Sequence, residues 1–358
     1  LYASFRARLY LSLQRLLASH AGQTVVVVTH GGPISTILRS LFGGHYMTIF
    51  TEFSSLTQLT WEADHWRLVV HNCTAHLNAP AAPSPNVSAP QDWSAPWADS
   101  QQLEAVIRQH DRVARAQPES AFPTERELNE MLRLAAPATE DRVLDVGTGR
   151  GSVALAFAPH VASVLAVDVS PAMLERADAA RLARDIQNVH LRFGEIGSLA
   201  LEDRSFEIII SHDLLHYLRD PQALLTRLRT LLAPGGRLLV DQLVGSDDAV
   251  KRATQNAIEL RRDSAITGVP SVGELERMLT AAGFGIEALE RYTVGRELEE
   301  WLAAAAADDA TRSAVRSMLE AGLEADSAGM APRRSRDGQI SLTQTRVRLL
   351  AIPATTPA

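Results

Sequence analysis

VLDVGTGRGS, residues 143–152, places an aspartate and three alternating glycines directly after an apolar run. Such a run predicts a buried strand, and glycine lets the following turn adopt positive φ and approach a ligand closely. No P-loop lysine follows, and Ser152 stands where a dinucleotide fingerprint has its third glycine. The stretch therefore predicts a strand–turn–helix cofactor site, but the turn alone does not identify the ligand.

Strand and helix patterns alternate downstream of this turn. The apolar runs VLAVDV, VHLRF, FEIII and RLLVDQLV are separated by stretches with apolar residues at helical spacing. This alternation predicts a parallel sheet with helices on both faces. SLTQTRVRLLAIP near the carboxyl terminus predicts a closing strand, and the helical patterns at 101–116 and 124–135 predict a lid over the site.

Three acids follow successive predicted strands. Asp145 ends the first strand, Asp168 ends the second, and Glu195 follows the third. In open α/β sheets such positions converge on one ligand crevice. Carboxylates at this spacing would repel a pyrophosphate, so the pattern favours a cationic cofactor without phosphates.

Composition narrows the function classes. The chain has 358 residues, enough for two domains, and a formal net charge of -7, which argues against a general nucleic-acid or membrane-surface binder. Its single cysteine, Cys73, excludes an internal disulfide and a cysteine-built metal site. No apolar run reaches membrane-spanning length. We expect a cytoplasmic protein with a small-molecule substrate, no metal, no nucleic-acid partner and no membrane partner; the oligomeric state is not readable.

Four ordered motifs between about 101 and 353 resemble the class I S-adenosylmethionine-dependent methyltransferases, of the small-molecule group called type 11. VLDVGTGRGSVALAFA resembles the first motif and VLAVDVSPAMLERA the second. The stretch from FGEIGSL to the Pro-Gly-Gly turn and LLVDQ resembles the rest of the core. The resemblance implies a Rossmann-like, seven-stranded, mostly parallel sheet. It also implies S-adenosyl-L-methionine as cofactor and in-line methyl transfer to a small molecule.

The same resemblance assigns the cofactor-binding residues. Asp168 would bind the ribose hydroxyls, Glu195 the adenine amino group, and Ile196 the face of the ring. The family usually has Asp where Glu195 stands, a departure at this position. Ser211 and His212 would face the transferable methyl group. The residues implied along the methionine part are Asp145, Gly147, Gly149 and Gly151.

A general base is optional in this chemistry, since it is needed only when the nucleophile arrives protonated. The candidates are His212, His216 and Asp241, with packing or pocket lining as the alternative for both histidines. Arg262 and Asp263 lie in a charged stretch that would contribute to the substrate side. A solvated helix end explains these two residues equally well.

The amino-terminal piece resembles a different family. TVVVVTHGGPIS and the following predicted hairpin, LTQLTWE with WRLVVHN, resemble the last part of a histidine phosphatase related to phosphoglycerate mutase. His30 would be a phosphate-pocket histidine, but the family's Arg-His-Gly nucleophile motif does not occur in the chain, so we expect no phosphatase activity. A truncated fusion and a degenerate domain are the two explanations.

These patterns predict three segments. Residues 1–77 form a partial histidine phosphatase-like α/β segment with a buried strand at 24–28, residues 78–100 a proline-rich linker, and residues 101–358 the methyltransferase domain. Three other functions remain open: a phosphatase or mutase, a nucleotide-cofactor oxidoreductase, and a cofactor-binding protein without turnover.

Overall fold

The computed structural model describes a few positions between 9 and 20 and the ranges 23–42, 56–62, 65–73, 97–116, 123–199 and 201–354. The chain divides into two compact units, Leu1–Trp97 and Ala98–Ala358. Most of the predicted linker, residues 78–96, lies outside the described residues. The helix that opens the second unit has its first residue, Trp97, at the boundary between the units, and it begins inside the predicted linker.

In the amino-terminal unit, the described positions from 9 to 19 are helical, and helix α1 (Gly31–Phe42) is followed by a hairpin of β1 (Leu56–Glu62) and β2 (His65–Cys73). The two strands are antiparallel and close with Glu62 opposite His65, which confirms the predicted hairpin. The predicted buried strand at 24–28 is wrong. Residues 24–30 form no strand, and Val26 and Val28 are 81% and 96% exposed, because no described strand pairs with this segment.

The second unit is a sheet between two layers of helices. Its strands are β3 (Arg142–Val146), β4 (Ser163–Asp168), β5 (Val189–Phe193), β6 (Phe206–His212), β7 (Leu232–Val244), β8 (Phe284–Glu297), β9 (Arg333–Arg334) and β10 (Ile340–Pro353). Its helices are α2 (Trp97–Ala116), α3 (Glu125–Ala135), α4 (Ser152–Phe157), α5 (Pro171–Ala183), α6 (Pro221–Leu231), α7 (Ala249–Arg262), α8 (Val272–Ala281), α9 (Leu298–Ala304) and α10 (Asp309–Ala321).

The strand order is β5-β4-β3-β6-β7-β10-β8, with the two-residue β9 paired to β10. The first five strands pair in parallel, and β10 is antiparallel to both β7 and β8. The predicted seven-stranded, mostly parallel sheet is confirmed, with β9 as a short addition. The order changes direction at β3, whose neighbours are β4 and β6. The carboxyl ends of β3, β4 and β6 therefore meet where α/β sheets bind ligands.

Side-chain alternation along the strands builds two apolar cores. On one face, Leu144 and Ile209 pack under α6 and α8; on the other, Val143 and Ile208 pack under α3 and α4. Met131 of α3 is fully buried in this second core. The expectation that α3 belongs to a lid is therefore wrong, because its apolar face is part of the permanent core.

Helix starts near the site follow ordinary capping chemistry. Ser170 precedes Pro171, and its hydroxyl accepts a hydrogen bond from the backbone N–H of Met173. Thr124 and Glu127 form a reciprocal capping box at the start of α3. These caps fix the first turns of α5 and α3.

Candidate functional site

The glycine turn is held in left-handed backbone conformations. Gly147, Gly149 and Gly151 have φ values of 74°, 55° and 81°. A Cβ at Gly151 would lie 3.1 Å from the Cβ of Ala177, so the turn also requires glycine for packing against α5. The backbone N–H of Gly147 donates to Val167 O at 2.9 Å, which fastens the turn to β4.

Asp145 is a buried carboxyl group at the end of β3. It is 1% exposed, and the Thr148 hydroxyl donates to its Oδ2 at 2.6 Å. Burial raises the pKa of Asp145 from 3.8 to about 7; the Thr148 hydrogen bond opposes this shift and the charge of Asp168 adds to it. A positive ligand charge in this crevice would favour the ionised form.

Asp168, at the end of β4, joins the turn to α5. Its Oδ2 accepts from Gly149 N at 2.8 Å and its Oδ1 accepts from Ser170 N at 2.8 Å. Burial raises its pKa, against the influence of His110 and these backbone donors. Each carboxylate oxygen retains acceptor capacity beyond one such bond.

The third predicted acid follows β5. Glu195 is half-buried, and the neighbouring Ile196 is 7% exposed. Gly194 N donates to Asp168 O at 3.0 Å, so the β5 turn is fastened to the end of β4. Because β3, β4 and β5 are adjacent and parallel, the turns that carry the three acids are neighbours at one sheet edge.

Ser211 and His212 end β6, but their side chains leave opposite faces of the strand. Ser211 is fully buried beside Val146 in the sheet, and its Oγ has no hydrogen-bond partner in the described structure. His212 Nε2 lies 3.4 Å from Arg346 Nη2 and 4.0 Å from Asp213 Oδ2. Burial lowers the pKa of His212, although both Asp213 and Asp241 oppose that shift.

His216 is 4% exposed and is held on several sides. Its Nδ1 lies 2.6 Å from Gln242 Nε2, and its carbonyl accepts from the N–H and hydroxyl of Thr267. Burial lowers the pKa of His216 to about 4, so the ring is neutral near pH 7 and accepts the amide proton at Nδ1. This environment favours packing over catalysis for His216.

Asp241 is fully buried, and both of its oxygens are engaged. Oδ1 accepts from Tyr292 Oη at 2.7 Å and from Arg346 Nη2 at 3.1 Å. Oδ2 lies 2.9 Å from Arg348 Nε and 2.8 Å from Arg348 Nη2. Two arginines and a phenol occupy both carboxylate oxygens, which favours a structural role over that of a general base.

The two predicted substrate residues also have partners within the protein. Arg262 Nε lies 3.0 Å from Glu259 Oε2, and its guanidinium stacks 4.5 Å from the Trp301 ring centre. Asp263 accepts from Tyr217 Oη at 3.0 Å and from the N–H of Ala265. These contacts end α7 and favour a structural role for this pair.

Helix α2 supplies contacts that the sequence reasoning missed. Asp111 is 3% exposed; its Oδ1 accepts from Ser170 Oγ at 2.7 Å, which fastens α2 to the residue that caps α5. Gln102 Nε2 donates to the carbonyls of Tyr217 and Ala265, beyond the end of β6. A usable signal existed, since Asp111 follows buried Ile107 by one helical turn, at a position where an unpaired acid is costly.

His30 directly precedes α1 and is exposed. No group of histidine, cysteine or acidic side chains that could hold a metal ion occurs within the described ranges. In the same ranges, no helix is long and apolar enough to cross a bilayer.

Residues 113–289 match the family model of the methyltransferase domain. The match supports a class I S-adenosylmethionine-dependent methyltransferase domain in this part of the chain. Residues 1–74 match the histidine phosphatase superfamily, branch 1, which confirms the resemblance of the amino-terminal piece.

Known proteins support the same assignment. The uncharacterised methyltransferase YcgJ of Bacillus subtilis is 27% identical over 184 residues, covering 51% of this chain and 73% of YcgJ. An arsenite methyltransferase of Halobacterium salinarum is 29% identical over 188 residues, covering 48% of this chain and 46% of that enzyme. The crystal structure of YcgJ superposes with a TM-score of 0.61 at 23% identity, over 64% of this chain and 98% of YcgJ.

The fold is also found in a protein with another activity. The [4+2]-cyclase SpnF has a TM-score of 0.53 at 16% identity, over 71% of this chain and 97% of SpnF. At this identity the likeness concerns the fold alone. The reaction of the methyltransferase domain must therefore be argued from its own residues.

Proposed function

We propose that the second unit binds S-adenosyl-L-methionine and transfers its methyl group to a small-molecule acceptor. One observation carries this proposal: a glycine turn at positive φ and the acids Asp145, Asp168 and Glu195 meet at the carboxyl ends of three adjacent parallel strands. The orphaned Oγ of Ser211 lies one strand further on. Three carboxyl groups at one sheet edge suit a cationic, phosphate-free ligand, whereas they would repel the pyrophosphate of a dinucleotide.

Each residue then has a role in binding. Asp168 accepts hydrogen bonds from the ribose hydroxyls, since its oxygens retain lone pairs beside those held by Gly149 and Ser170. Asp145 supplies a negative potential that favours the positively charged sulfonium group of the cofactor. Glu195 and Ile196 take the adenine, by a carboxylate contact and an apolar contact respectively. The glycine turn provides the close backbone approach along the methionine part.

When bound, the cofactor supplies a methyl group already activated by its sulfonium. The protein contributes alignment and exclusion of water. Helix α2, fastened at Ser170 and again at Tyr217, spans from the cofactor side to the end of β6 and closes the crevice against water. The nucleophile approaches in line from the side of His212.

Calorimetric titration of the purified chain with S-adenosylmethionine tests this proposal, with NAD as the control ligand. Micromolar binding is expected, and Asp168→Ala should weaken it by about 1–3 kcal/mol, the cost of leaving hydrogen-bonding groups unpaired. Asp178→Ala is the matched control, because this α5 acid is half exposed and contacts Arg181 on its own helix. It should leave the affinity unchanged.

Two outcomes would reject the cofactor assignment: no heat with S-adenosylmethionine in a sample shown to be folded, or clear heat with NAD instead. Binding without turnover across a broad panel of small acceptors would support the alternative, a cofactor-binding protein that does not transfer the methyl group.

A further inference from the structure

Arg346 of β10 is a buried cation beside the predicted methyl side of the site. It is 2% exposed, and its Nε donates to Tyr292 Oη at 2.9 Å. Its Nη1 lies 2.9 Å from Asp213 Oδ2, and its Nη2 donates to Asp241 Oδ1 at 3.1 Å. These contacts fix the plane and direction of the guanidinium group.

The second proton of Arg346 Nη2 is directed at His212, with Nη2 and Nε2 3.4 Å apart. A guanidinium group can only donate, so the ring nitrogen that faces it must accept. An imidazole that accepts at Nε2 is neutral and carries its proton on Nδ1.

We propose that Arg346 is a positioning residue that holds His212 as a neutral imidazole protonated at Nδ1. His212 then has its ring proton on Nδ1, and its basic nitrogen is directed at a cation. It does not serve as the general base.

The charges around His212 act in both directions. Asp213, Asp241 and Glu127 favour a protonated ring, whereas burial and Arg346 oppose it. The balance lowers the pKa of His212, in agreement with the contact geometry, in which Nε2 is nearer to Arg346 than to Asp213. Arg346 itself stays charged, because Asp213 and Asp241 raise its pKa despite its burial.

A consequence for the acceptor follows, and it rests on the proposed function. His216 accepts from Gln242, Asp241 is saturated by cations, and His212 is turned to Arg346. None of the three candidate bases is arranged to remove a proton. The site therefore suits an acceptor whose nucleophilic atom has a lone pair without deprotonation, such as an anionic oxygen or sulfur or a neutral amine.

Nitrogen NMR of the ligand-free protein tests the tautomer directly. The protein is labelled with ¹⁵N-histidine, and His212→Gln identifies the His212 signals in long-range ¹H–¹⁵N spectra. We expect a protonated Nδ1, an unprotonated Nε2 and no titration between pH 6 and 8. A proton on Nε2, or titration within that range, would overturn the proposal. No cofactor is needed, so this result is separate from the calorimetric test of the function.

Two variants test the part played by Arg346. Arg346→Lys keeps the positive charge but loses the planar set of N–H donors that contacts Asp213, Asp241 and His212 together, so His212 should become a mixture of tautomers. Tyr292→Phe removes the partner of Arg346 Nε and the hydroxyl that donates to Asp241, but it keeps the contact between Arg346 Nη2 and His212 Nε2. It should therefore leave the His212 signals as in the wild type. An unchanged His212 spectrum in folded Arg346→Lys would show that Arg346 does not position the ring. Should that variant fail to fold, the wild-type spectrum still decides the tautomer.

Discussion

Replacing Asp145 with asparagine should stabilise the ligand-free protein at alkaline pH. The pKa of Asp145 is raised from 3.8 to about 7, mainly by burial. Between these values the folded state binds more protons than the unfolded state, so stability from this group falls as pH rises through that window. A shift of about three units at ~1.4 kcal/mol each corresponds to a penalty of at most about 4 kcal/mol above pH 7.

The amide of Asp145→Asn has no charge to bury, and its oxygen still accepts from the Thr148 hydroxyl. Its NH₂ group needs a partner, which costs about 1–3 kcal/mol if none is found. We therefore expect the variant to exceed the wild type by ~1–3 kcal/mol in unfolding free energy at pH 8, with the gap closing towards pH 5.

Urea unfolding at pH 5 and pH 8, without ligand, measures this difference. Asp141→Asn is the matched control: its carboxylate is also buried, but it lies 2.9 Å from Arg237, so the change should destabilise the protein at both pH values. An Asp145→Asn variant no more stable than the wild type at pH 8, or a gap equal at both pH values, would refute the reasoning. The same variant should bind S-adenosylmethionine more weakly, because the change that raises stability removes the negative charge that the ligand needs.

Three further outcomes follow from the packing and from the motifs. Gly151→Ala should lower the free energy of unfolding by ~1–3 kcal/mol, measured with heat or urea, and by more than Gly149→Ala. Both glycines have positive φ, but only a Cβ at Gly151 would contact α5. Equal losses in the two variants would argue against this contact. Met131→Ala should lower the free energy of unfolding by about 2–5 kcal/mol, whereas Arg133→Ala, at an exposed site on the same helix, should lower it by under about 1 kcal/mol. A Met131→Ala variant as stable as the wild type would support the interpretation of α3 as a lid. Neither the wild type nor His30→Ala should hydrolyse p-nitrophenyl phosphate, since the Arg-His-Gly motif is missing. Hydrolysis by the wild type that is lost in His30→Ala would contradict this.

The parallel half of the sheet was predictable because its signals are local. Each strand is a short apolar run, and each is followed by a turn residue or an acid, as at Asp145 and Asp168. The shared hand of βαβ connections limits the orders that such strands can take. The sheet and the neighbouring positions of the acids could therefore be inferred without coordinates.

The polar network around Asp241 was not predictable in the same way. It depends on β10 pairing between β7 and β8, which places Arg348 opposite Asp241 and Arg346 opposite Tyr292. Arg346 lies more than a hundred residues from His212 in sequence, and nothing local in TRVRLL indicates that its arginines are buried. For α3, amphipathic spacing indicated an apolar face, but not that the sheet itself covers it.

The prediction of a buried strand at 24–28 was wrong for a related reason. A run of four valines has strong strand preference, yet a strand exists only when a neighbour satisfies its backbone groups. Amino-acid composition indicates the strand preference of a segment, but it does not indicate whether another strand lies beside it.

The position of β10 has a consequence for biosynthesis. β8 lies at the end of the sheet's strand order and pairs there with β10, which is made more than forty residues later. As the chain emerges from the ribosome, the five parallel strands have their partners early, but β8 must wait for β10 to enter beside it. The nascent domain therefore passes through a stage in which β7 exposes a hydrogen-bonding edge and Asp241 has no arginine beside it. A chaperone that binds exposed strand edges should find its target at this stage and lose it once β10 has docked.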